Sequence, residues 1–228
     1  MDMYVFSGVI LVFTCEIART SDVAFDVYPI PDVAPELREV LSKKRRVRDR
    51  WATIIGRLLL LQALRAIGVR DVELGDLRSG EDGSPVAPYP LSCSISHTSE
   101  LVAAAVAPFG SVGIDVESEE LAKPFVAAAG ARFSDSERCR LQGQEETFAY
   151  MWTRKEALAK AAGRSLDEVL GQSVLGDRLE FAGRTWHLRS RRLGLAHHCA
   201  LAWDRHPDQL KVHSIDVASL LSVNANGP

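Results

Sequence analysis

The chain has 228 residues, of which 46% are hydrophobic and 25% are charged, which is typical of a folded globular protein and excludes disorder over most of its length. With 27 basic and 30 acidic residues the net charge is −3, so nucleic acid could be bound only through a local basic patch. The four cysteines lack metal-ligand spacing and no stretch is apolar enough to span a bilayer, so we expect a cytoplasmic protein that does not bind a membrane.

The first half of the sequence predicts alternating helices and short strands. Apolar residues recur with helical periodicity over residues 51–67, and Gly68 is a natural helix end. In chain order the predicted elements are a strand at residues 3–13, a loop at 22–35, helices at 36–47 and 51–67, a loop at 79–90, and strands at 91–95, 101–107 and 111–116.

The second half repeats this plan, with short and mostly antiparallel strands. The turn at residues 108–110 is the predicted boundary, giving an N-terminal half at 1–109 and a C-terminal half at 110–228. The predicted elements are a helix at residues 122–131, a helix that begins at Ser134, a helix at 145–162, three strands within 178–203 and a frayed end at 222–228.

Asp115 and Glu117 stand two residues apart in a predicted strand, within the run Gly-Ile-Asp-Val-Glu that begins at Gly113. Since alternate residues of a strand share a face, their carboxylates would lie side by side. Such like charges repel unless a cation lies between them, and Mg²⁺ takes oxygen ligands of this kind. The alternative is a polar strand face that continues into the acidic residues Glu119 and Glu120.

Trp152, Glu156 and Lys160 recur every four residues in the predicted helix at 145–162 and therefore line one of its faces. A carboxylate and an ammonium group one turn apart can act as a base and a phosphate contact. The same glutamate–lysine spacing is also a favoured surface ion pair of isolated helices. These residues alone leave both interpretations open.

Two further segments suit an anionic ligand. Residues 94–98 place hydroxyl groups beside a histidine, a pattern that also occurs in ordinary turns. Six of the eight residues at 43–50 are basic, which favours phosphate or an acidic partner but also fits a solvated helix face. A Ser–His–acid hydrolase is disfavoured because Ser96 and His97 are neighbours and no G-x-S-x-G motif occurs. Nucleic-acid binding is disfavoured because the basic segment contains no interleaved aromatic residues.

The order of these motifs resembles the Sfp-type 4'-phosphopantetheinyl transferases, over residues 40–165. The motifs are the basic segment, Ser-x-Ser-His, Gly-Ile-Asp-Val-Glu, Arg132-Phe133-Ser134 with Glu137, and Trp-x-x-Lys-Glu-Ala-x-x-Lys-x-x-Gly from Trp152. The resemblance implies an α+β fold of two similar halves related by a pseudo-two-fold axis, with coenzyme A bound in the cleft between them. It also implies transfer of the 4'-phosphopantetheine arm of coenzyme A to a serine of an apo acyl or peptidyl carrier protein, with release of adenosine 3',5'-bisphosphate.

The resemblance also implies roles for individual residues. Asp115, Glu117 and Glu156 match the carboxylates that hold Mg²⁺, for which Mn²⁺ is an alternative. Glu156 would act as the base, directly or through a water, and Lys160 would hold the diphosphate and protonate the leaving phosphate. The remaining coenzyme A contacts implied are Thr53, Ser96, His97, Lys155, Arg46 and Arg48, with Lys155 contacting either phosphate or the carrier.

The sequence departs from the family pattern in two places. The loop before the histidine motif reads Gly83-Ser84-Pro85, where the family usually has Gly-Lys-Pro, so one phosphate-contacting cation is missing. The basic segment does not align residue by residue, so which members of residues 43–50 contact the nucleotide stays open, Arg46 and Arg48 included.

The resemblance implies a monomer and leaves the carrier open among those of fatty-acid, polyketide and nonribosomal peptide biosynthesis. It places the carrier beside the segment at residues 119–131, where Phe125 is either a docking residue or part of the core. The rival interpretation is a binding protein on the same fold that keeps the coenzyme A or carrier site without turnover.

Overall fold

A computed structural model describes residues 8–17, 33–81, 83–87, 90–122, 126–141, 145–194 and 196–225. Up to residue 107 its elements are β1 (Val9–Glu16), α1 (Pro35–Lys43), α2 (Val47–Ala66), a 3₁₀ turn (Leu74–Asp76), β2 (Arg78–Ser79), β3 (Pro85–Val86), β4 (Ser92–His97) and β5 (Leu101–Ala107). Then follow β6 (Val112–Ser118), α3 (Glu119–Ala122), α4 (Val126–Gly130), α5 (Asp135–Leu141), α6 (Glu145–Ala162), α7 (Leu166–Leu170), β7 (Arg178–Phe181), β8 (Arg184–Leu193), β9 (His197–Trp203), β10 (Gln209–Ser214) and α8 (Val217–Ala225).

These elements form two α+β units, one built from residues 1–109 with 207–228 and one from Gly110–His206. The mixed α+β class predicted from the sequence is confirmed. The second unit differs from the predicted C-terminal half at 110–228, because β10 pairs in parallel with β1 of the first unit. Leu220 and Leu221 of α8 are likewise buried in the core of the first unit.

The first unit is a four-stranded sheet in the order β10-β1-β5-β4, with α2 packed on it. Its core combines the apolar face of β1 and the alanines and valines of β5 with α2, which is apolar through most of its length. Gly56 marks a close approach of α2 to β4, because a Cβ there would lie 2.6 Å from a methyl carbon of Ile95. The helix can pack this tightly on the strand only because Gly56 has no side chain.

The second unit is an antiparallel sheet in the order β6-β9-β8-β7, with α6 packed against β6 and β9. A Cβ on Gly113 of β6 would lie 2.2 Å from the carbonyl oxygen of Ala157 and 2.5 Å from the amide nitrogen of Ala161. Both of these are backbone atoms of α6. The strand and the helix therefore meet with no side chain between them at this position.

Several element bounds differ from the predicted ones. The second helix begins at Val47 rather than at residue 51. Of the strand predicted at 3–13, residues 3–7 lie outside the described residues, and β1 extends beyond the predicted end, from Val9 to Glu16. The predicted loop at 79–90 includes β3 and the end of β2, which pair as a short hairpin. Of the predicted helix at 122–131, Val126–Gly130 is helical as α4, and residues 123–125 lie outside the described residues. Phe125, the candidate docking residue, is among them. No helix in the described part of the chain is both long and apolar enough to cross a membrane.

Replacing Gly113 by alanine tests the contact between β6 and α6. The added Cβ would overlap backbone atoms of α6 that cannot rotate away, so we expect a loss of stability of about 1–3 kcal/mol, measured by urea unfolding. Gly171→Ala is the matched control, because nothing lies within 4 Å of a Cβ there and its φ is −76°. Equal stability of the two variants would show that β6 and α6 do not need this contact.

Candidate active site

Strand β6 presents two carboxylates to the helix that covers it. Asp115 and Glu117 lie two and four residues after Gly113, so all three share the face of β6 that packs on α6. Asp115 is buried, with 6% of its surface exposed. The Oε1 atom of Glu117 accepts a hydrogen bond at 2.8 Å from the backbone N–H of Ser118. The predicted placement of both carboxylates on one strand face agrees with this geometry.

Helix α6 brings a third carboxylate and a cation to the same place. Glu156 and Lys160 directly precede Ala157 and Ala161, the two residues that contact Gly113. The Lys160 ammonium donates to Asp115 Oδ1 at 2.7 Å and to the carbonyl oxygen of Ile114 at 3.3 Å. About a third of the Lys160 side chain, 33%, remains exposed, so its ammonium can also be reached from solvent.

The carboxylates act on one another electrostatically. Burial, and then the charge of Asp115, raises the pKa of Glu117. Burial also raises the pKa of Glu156, with the charges of Asp115 and Glu117 adding to the effect and Lys160 opposing it. Three carboxylates against the single ammonium of Lys160 leave an excess of negative charge when all are ionised, which a divalent cation would neutralise.

A second group of side chains near this site could also hold a metal ion. Among the described residues, one ligand atom each of Glu119, Glu146 and His198 lie within 4.8 Å of one another. Arg192 offsets part of the negative charge of this cluster, because its guanidinium lies 2.8 Å from Glu119 and 3.3 Å from Glu146. At the carboxylates of β6 and α6, the ammonium of Lys160 pairs with Asp115 at 2.7 Å, which leaves the charges of Glu117 and Glu156 to attract a further cation.

His198 is buried on β9, opposite Glu117, and its Nε2 lies 3.1 Å from Glu119 Oε1. Its neighbour His197 pairs with Ser118, and adjacent strand residues point to opposite faces. The side chains of the two histidines therefore point to opposite faces of the sheet. The contact of His198 with Glu119 was not foreseen, since the two lie 79 residues apart.

Lys155 corrects the sequence-based assignment of a phosphate or carrier contact. Its side chain is fully buried, at 0% exposure. Its ammonium is 2.8 Å from Glu137 Oε2 and donates to the carbonyl oxygens of Leu170 at 2.8 Å and Gln172 at 2.5 Å. An ammonium has three N–H donors, so all are used inside the protein and none reaches a ligand.

Arg154, next to Lys155, binds the chain just beyond Leu170 and Gln172, the two residues whose carbonyl groups Lys155 binds. Its guanidinium donates to the carbonyl oxygens of Val174 and Gly176, each at 2.6 Å, and to the hydroxyl of Ser190 at 3.0 Å. Glu137 also accepts the backbone N–H of Val174 at 2.8 Å. These buried bonds fix the rotation of α6 about its axis, so that the next residue, Glu156, faces the carboxylates of β6.

The predicted nucleotide contacts lie in the first unit. Thr53 is on the face of α2 that carries Gly56, and its hydroxyl donates to the carbonyl oxygen of Asp49 at 2.9 Å. His97 shares a face of β4 with Ile95, which Gly56 approaches, whereas Ser96 points to the opposite face with Ser94. The structure therefore places Thr53 and His97 on facing surfaces of α2 and β4 but separates the Ser96 side chain from His97.

The two arginines of the basic segment lie at the start of α2. Arg46 is the residue that precedes the helix, and it is exposed, while Arg48 is half-buried in the first turn. A helix N-terminus carries a partial positive charge and unpaired N–H groups, so cations there add to an existing preference for anions.

Comparison with known proteins identifies a family for both parts of the chain. Residues 111–203 match the model of the 4'-phosphopantetheinyl transferase superfamily, and residues 41–107 match the 4'-phosphopantetheinyl transferase N-terminal domain. The chain is 33% identical over 149 residues to 4'-phosphopantetheinyl transferase AcpT of Escherichia coli K12, covering 62% of this chain and 70% of that protein. It is 28% identical over 142 residues to 4'-phosphopantetheinyl transferase gsp of Aneurinibacillus migulanus, covering 59% of this chain and 58% of that protein.

Replacing Lys155 by methionine tests whether this lysine has a structural role or contacts a ligand. Removing the ammonium leaves Glu137 buried without a counter-charge, so we expect a loss of about 3–5 kcal/mol in the free energy of unfolding. Arg164→Met is the control, because Arg164 pairs with Glu168 at 3.7 Å with both side chains half exposed, and it should cost less than about 1 kcal/mol. Normal stability of Lys155→Met with weakened coenzyme A binding would restore the original assignment.

Proposed function

This chain belongs to the 4'-phosphopantetheinyl transferase superfamily and transfers phosphopantetheine to carrier proteins, and we propose that Asp115, Glu117, Glu156 and Lys160 carry out this reaction. The observation that supports the proposal is the contact of β6 with α6 at Gly113, which brings three carboxylates and an ammonium group together. Coenzyme A is the substrate of this family and supplies the arm.

The reaction exchanges one P–O bond for another. The serine hydroxyl of the carrier attacks the phosphorus that bears the pantetheine arm, and its proton passes to Glu156 directly or through a water. The bond from that phosphorus to the remaining phosphate oxygen breaks, and adenosine 3',5'-bisphosphate leaves. A base is needed because a neutral serine hydroxyl is a poor nucleophile.

Asp115, Glu117 and Glu156 fit a divalent cation, because their donors are all carboxylate oxygens and their charges exceed that of Lys160. We propose Mg²⁺, with Mn²⁺ as the alternative. When bound, such an ion neutralises charge that develops on the diphosphate oxygens. Lys160 is held by Asp115 with its ammonium partly exposed, so it can contact the diphosphate and give a proton to the leaving phosphate.

For the nucleotide part of coenzyme A, we propose contacts from the first unit. Thr53 and His97 supply a hydroxyl and an imidazole from facing surfaces, and Arg46 and Arg48 add positive charge at the start of α2. Ser96 remains a proposed contact from the other face of β4.

The sequence and the resemblance also favour a monomer in the cytoplasm, and all four cysteines are free thiols, as expected there.

The rival interpretation is that the protein binds coenzyme A or a carrier without turnover. It is tested by incubating the protein with Mg²⁺, coenzyme A and an apo carrier. Transfer adds the mass of one phosphopantetheine arm to the carrier, and a protein without turnover leaves the mass unchanged. Apo carriers of fatty-acid, polyketide and nonribosomal peptide biosynthesis, compared by initial rate, identify the preferred class.

Asp115→Asn should abolish most transfer and remove its dependence on the metal concentration. The change keeps the size of the side chain but removes a ligand charge and the partner of Lys160. Initial rates against Mg²⁺ concentration, with an excess of chelator as the zero point, measure this. Wild-type activity in chelator would contradict the proposed metal.

Glu156→Gln should fold normally and lose about 10²–10⁴-fold in kcat, because a positioned base contributes a factor of that size. Glutamine preserves the helix and the side-chain length, so the melting temperature should stay close to that of the wild type. Retention of more than about a tenth of the wild-type rate would show that Glu156 is not the base.

A further inference from the structure

Four side chains that the proposed mechanism does not use meet at one end of β6. Glu119 begins α3, Glu146 lies in the first turn of α6, Arg192 lies near the end of β8 and His198 is on β9. One ligand atom each of Glu119, Glu146 and His198 lies within 4.8 Å of the other two. The fold therefore brings three metal-ligating groups from three separate elements to one place, together with one arginine.

The donors of this cluster suit a transition metal better than Mg²⁺. An imidazole nitrogen is a ligand for Zn²⁺ and similar ions, whereas Mg²⁺ takes oxygen ligands. The imidazole of His198 is held in place, because only 5% of the residue is exposed and the ring packs against the ring of Tyr150, with centroids 6.3 Å apart. Its Nε2 lies 3.1 Å from Glu119 Oε1, so this nitrogen is directed at the carboxylate.

Arg192 places a cation where a metal ion would otherwise bind. Its guanidinium lies 2.8 Å from Glu119 Oε1 and 3.3 Å from Glu146 Oε1. A metal–carboxylate bond is about 2.1 Å long, so an ion bound to Glu119 Oε1 would lie within about 5 Å of a guanidinium nitrogen. Like charges at that distance repel each other, so Arg192 disfavours an ion at this cluster.

The surrounding charges would attract an ion if Arg192 were absent. Within the described residues, Arg192 is the only arginine or lysine that forms an ion pair with Glu119 or Glu146. The sequence neighbours of the two glutamates, Glu120 and Glu145, add further negative charge to these segments of the chain. Loss of the guanidinium would therefore leave two carboxylates and an imidazole with the charge and the donors that a divalent ion requires.

An ion at this cluster would lie next to the proposed magnesium site. His198 pairs directly with Glu117 across β9 and β6. The Cβ atoms of directly opposite residues in an antiparallel pair are about 4.5–5.5 Å apart, and their side chains share a face. An ion bound to His198 would therefore compete with Mg²⁺ for the carboxylate of Glu117.

We propose that Arg192 is a specificity-determining residue, which keeps transition-metal ions out of a second metal site formed by Glu119, Glu146 and His198. When its charge is removed, this site binds Zn²⁺. The proposal rests on the proposed function in one respect, since it takes Asp115, Glu117 and Glu156 as the place of the ion that the reaction uses.

The test counts the Zn²⁺ ions that each chain binds in a calorimetric titration with an excess of Mg²⁺ present. Arg192→Met should bind one more Zn²⁺ ion per chain than the wild type, and adding His198→Gln to it should remove that ion. Arg192→Lys keeps the cation and should bind no more than the wild type. Any zinc bound by the four free thiols is common to all variants and cancels in the comparison.

Arg184→Met is the matched control. Arg184 lies on the same strand as Arg192 and pairs with Asp204 at 2.9 Å, so its removal breaks an ion pair without exposing the cluster. It should bind no additional zinc. Zinc should raise the melting temperature of Arg192→Met more than that of Arg192→Met/His198→Gln, because an ion that binds only the folded chain stabilises it.

The outcomes separate this proposal from the proposed function. An unchanged number of ions in Arg192→Met overturns it, and so does an additional ion that survives His198→Gln or appears equally in Arg184→Met. Where Arg192→Met does not fold, Arg192→Gln carries the same test. The titration contains neither coenzyme A nor a carrier, so a wild type that shows no Mg²⁺-dependent transfer contradicts the proposed function alone.

Discussion

The contact between β6 and α6 at Gly113 is the constraint on which the proposed active site depends. It lets backbone meet backbone at Ala157 and Ala161, and the residue before each of these, Glu156 and Lys160, then faces the strand. Asp115 follows two residues along the same strand face and receives the Lys160 ammonium. The spacing of the functional residues in the sequence is therefore a consequence of how closely one helix and one strand can approach.

Buried cations hold the helix in the orientation that this contact requires. Arg154 and Lys155 are buried and bind carbonyl groups of residues 170–176, while Glu156 lies on the side of α6 that faces the carboxylates of β6. Of these three consecutive residues, the first two hold the structure and the third has the proposed chemical role. In the first unit, the buried guanidinium of Arg57 likewise holds backbone, because it donates to the carbonyl oxygens of Arg78 and Gly83.

Periodicity and spacing predicted much of this arrangement. The two-residue spacing of Asp115 and Glu117 and the four-residue spacing of Glu156 and Lys160 placed each pair on one face, and the structure has them there. Lys155 was misassigned because a lysine in a motif looks the same in the sequence whether it is buried or exposed, and its partner Glu137 is 18 residues away. The pairing of β10 with β1 joins residues about 200 positions apart, which no local pattern reveals.

The most direct test of the account is a titration of Mn²⁺ followed by electron paramagnetic resonance, with coenzyme A present, on the wild type, Glu117→Gln and His198→Gln. The account predicts a single ion per chain, bound at least about tenfold more weakly in Glu117→Gln and unchanged in His198→Gln. Binding that survives Glu117→Gln and is lost in His198→Gln would place the ion at Glu119, Glu146 and His198 instead. That result would contradict the proposal that the metal binds the carboxylates that the Gly113 contact brings together.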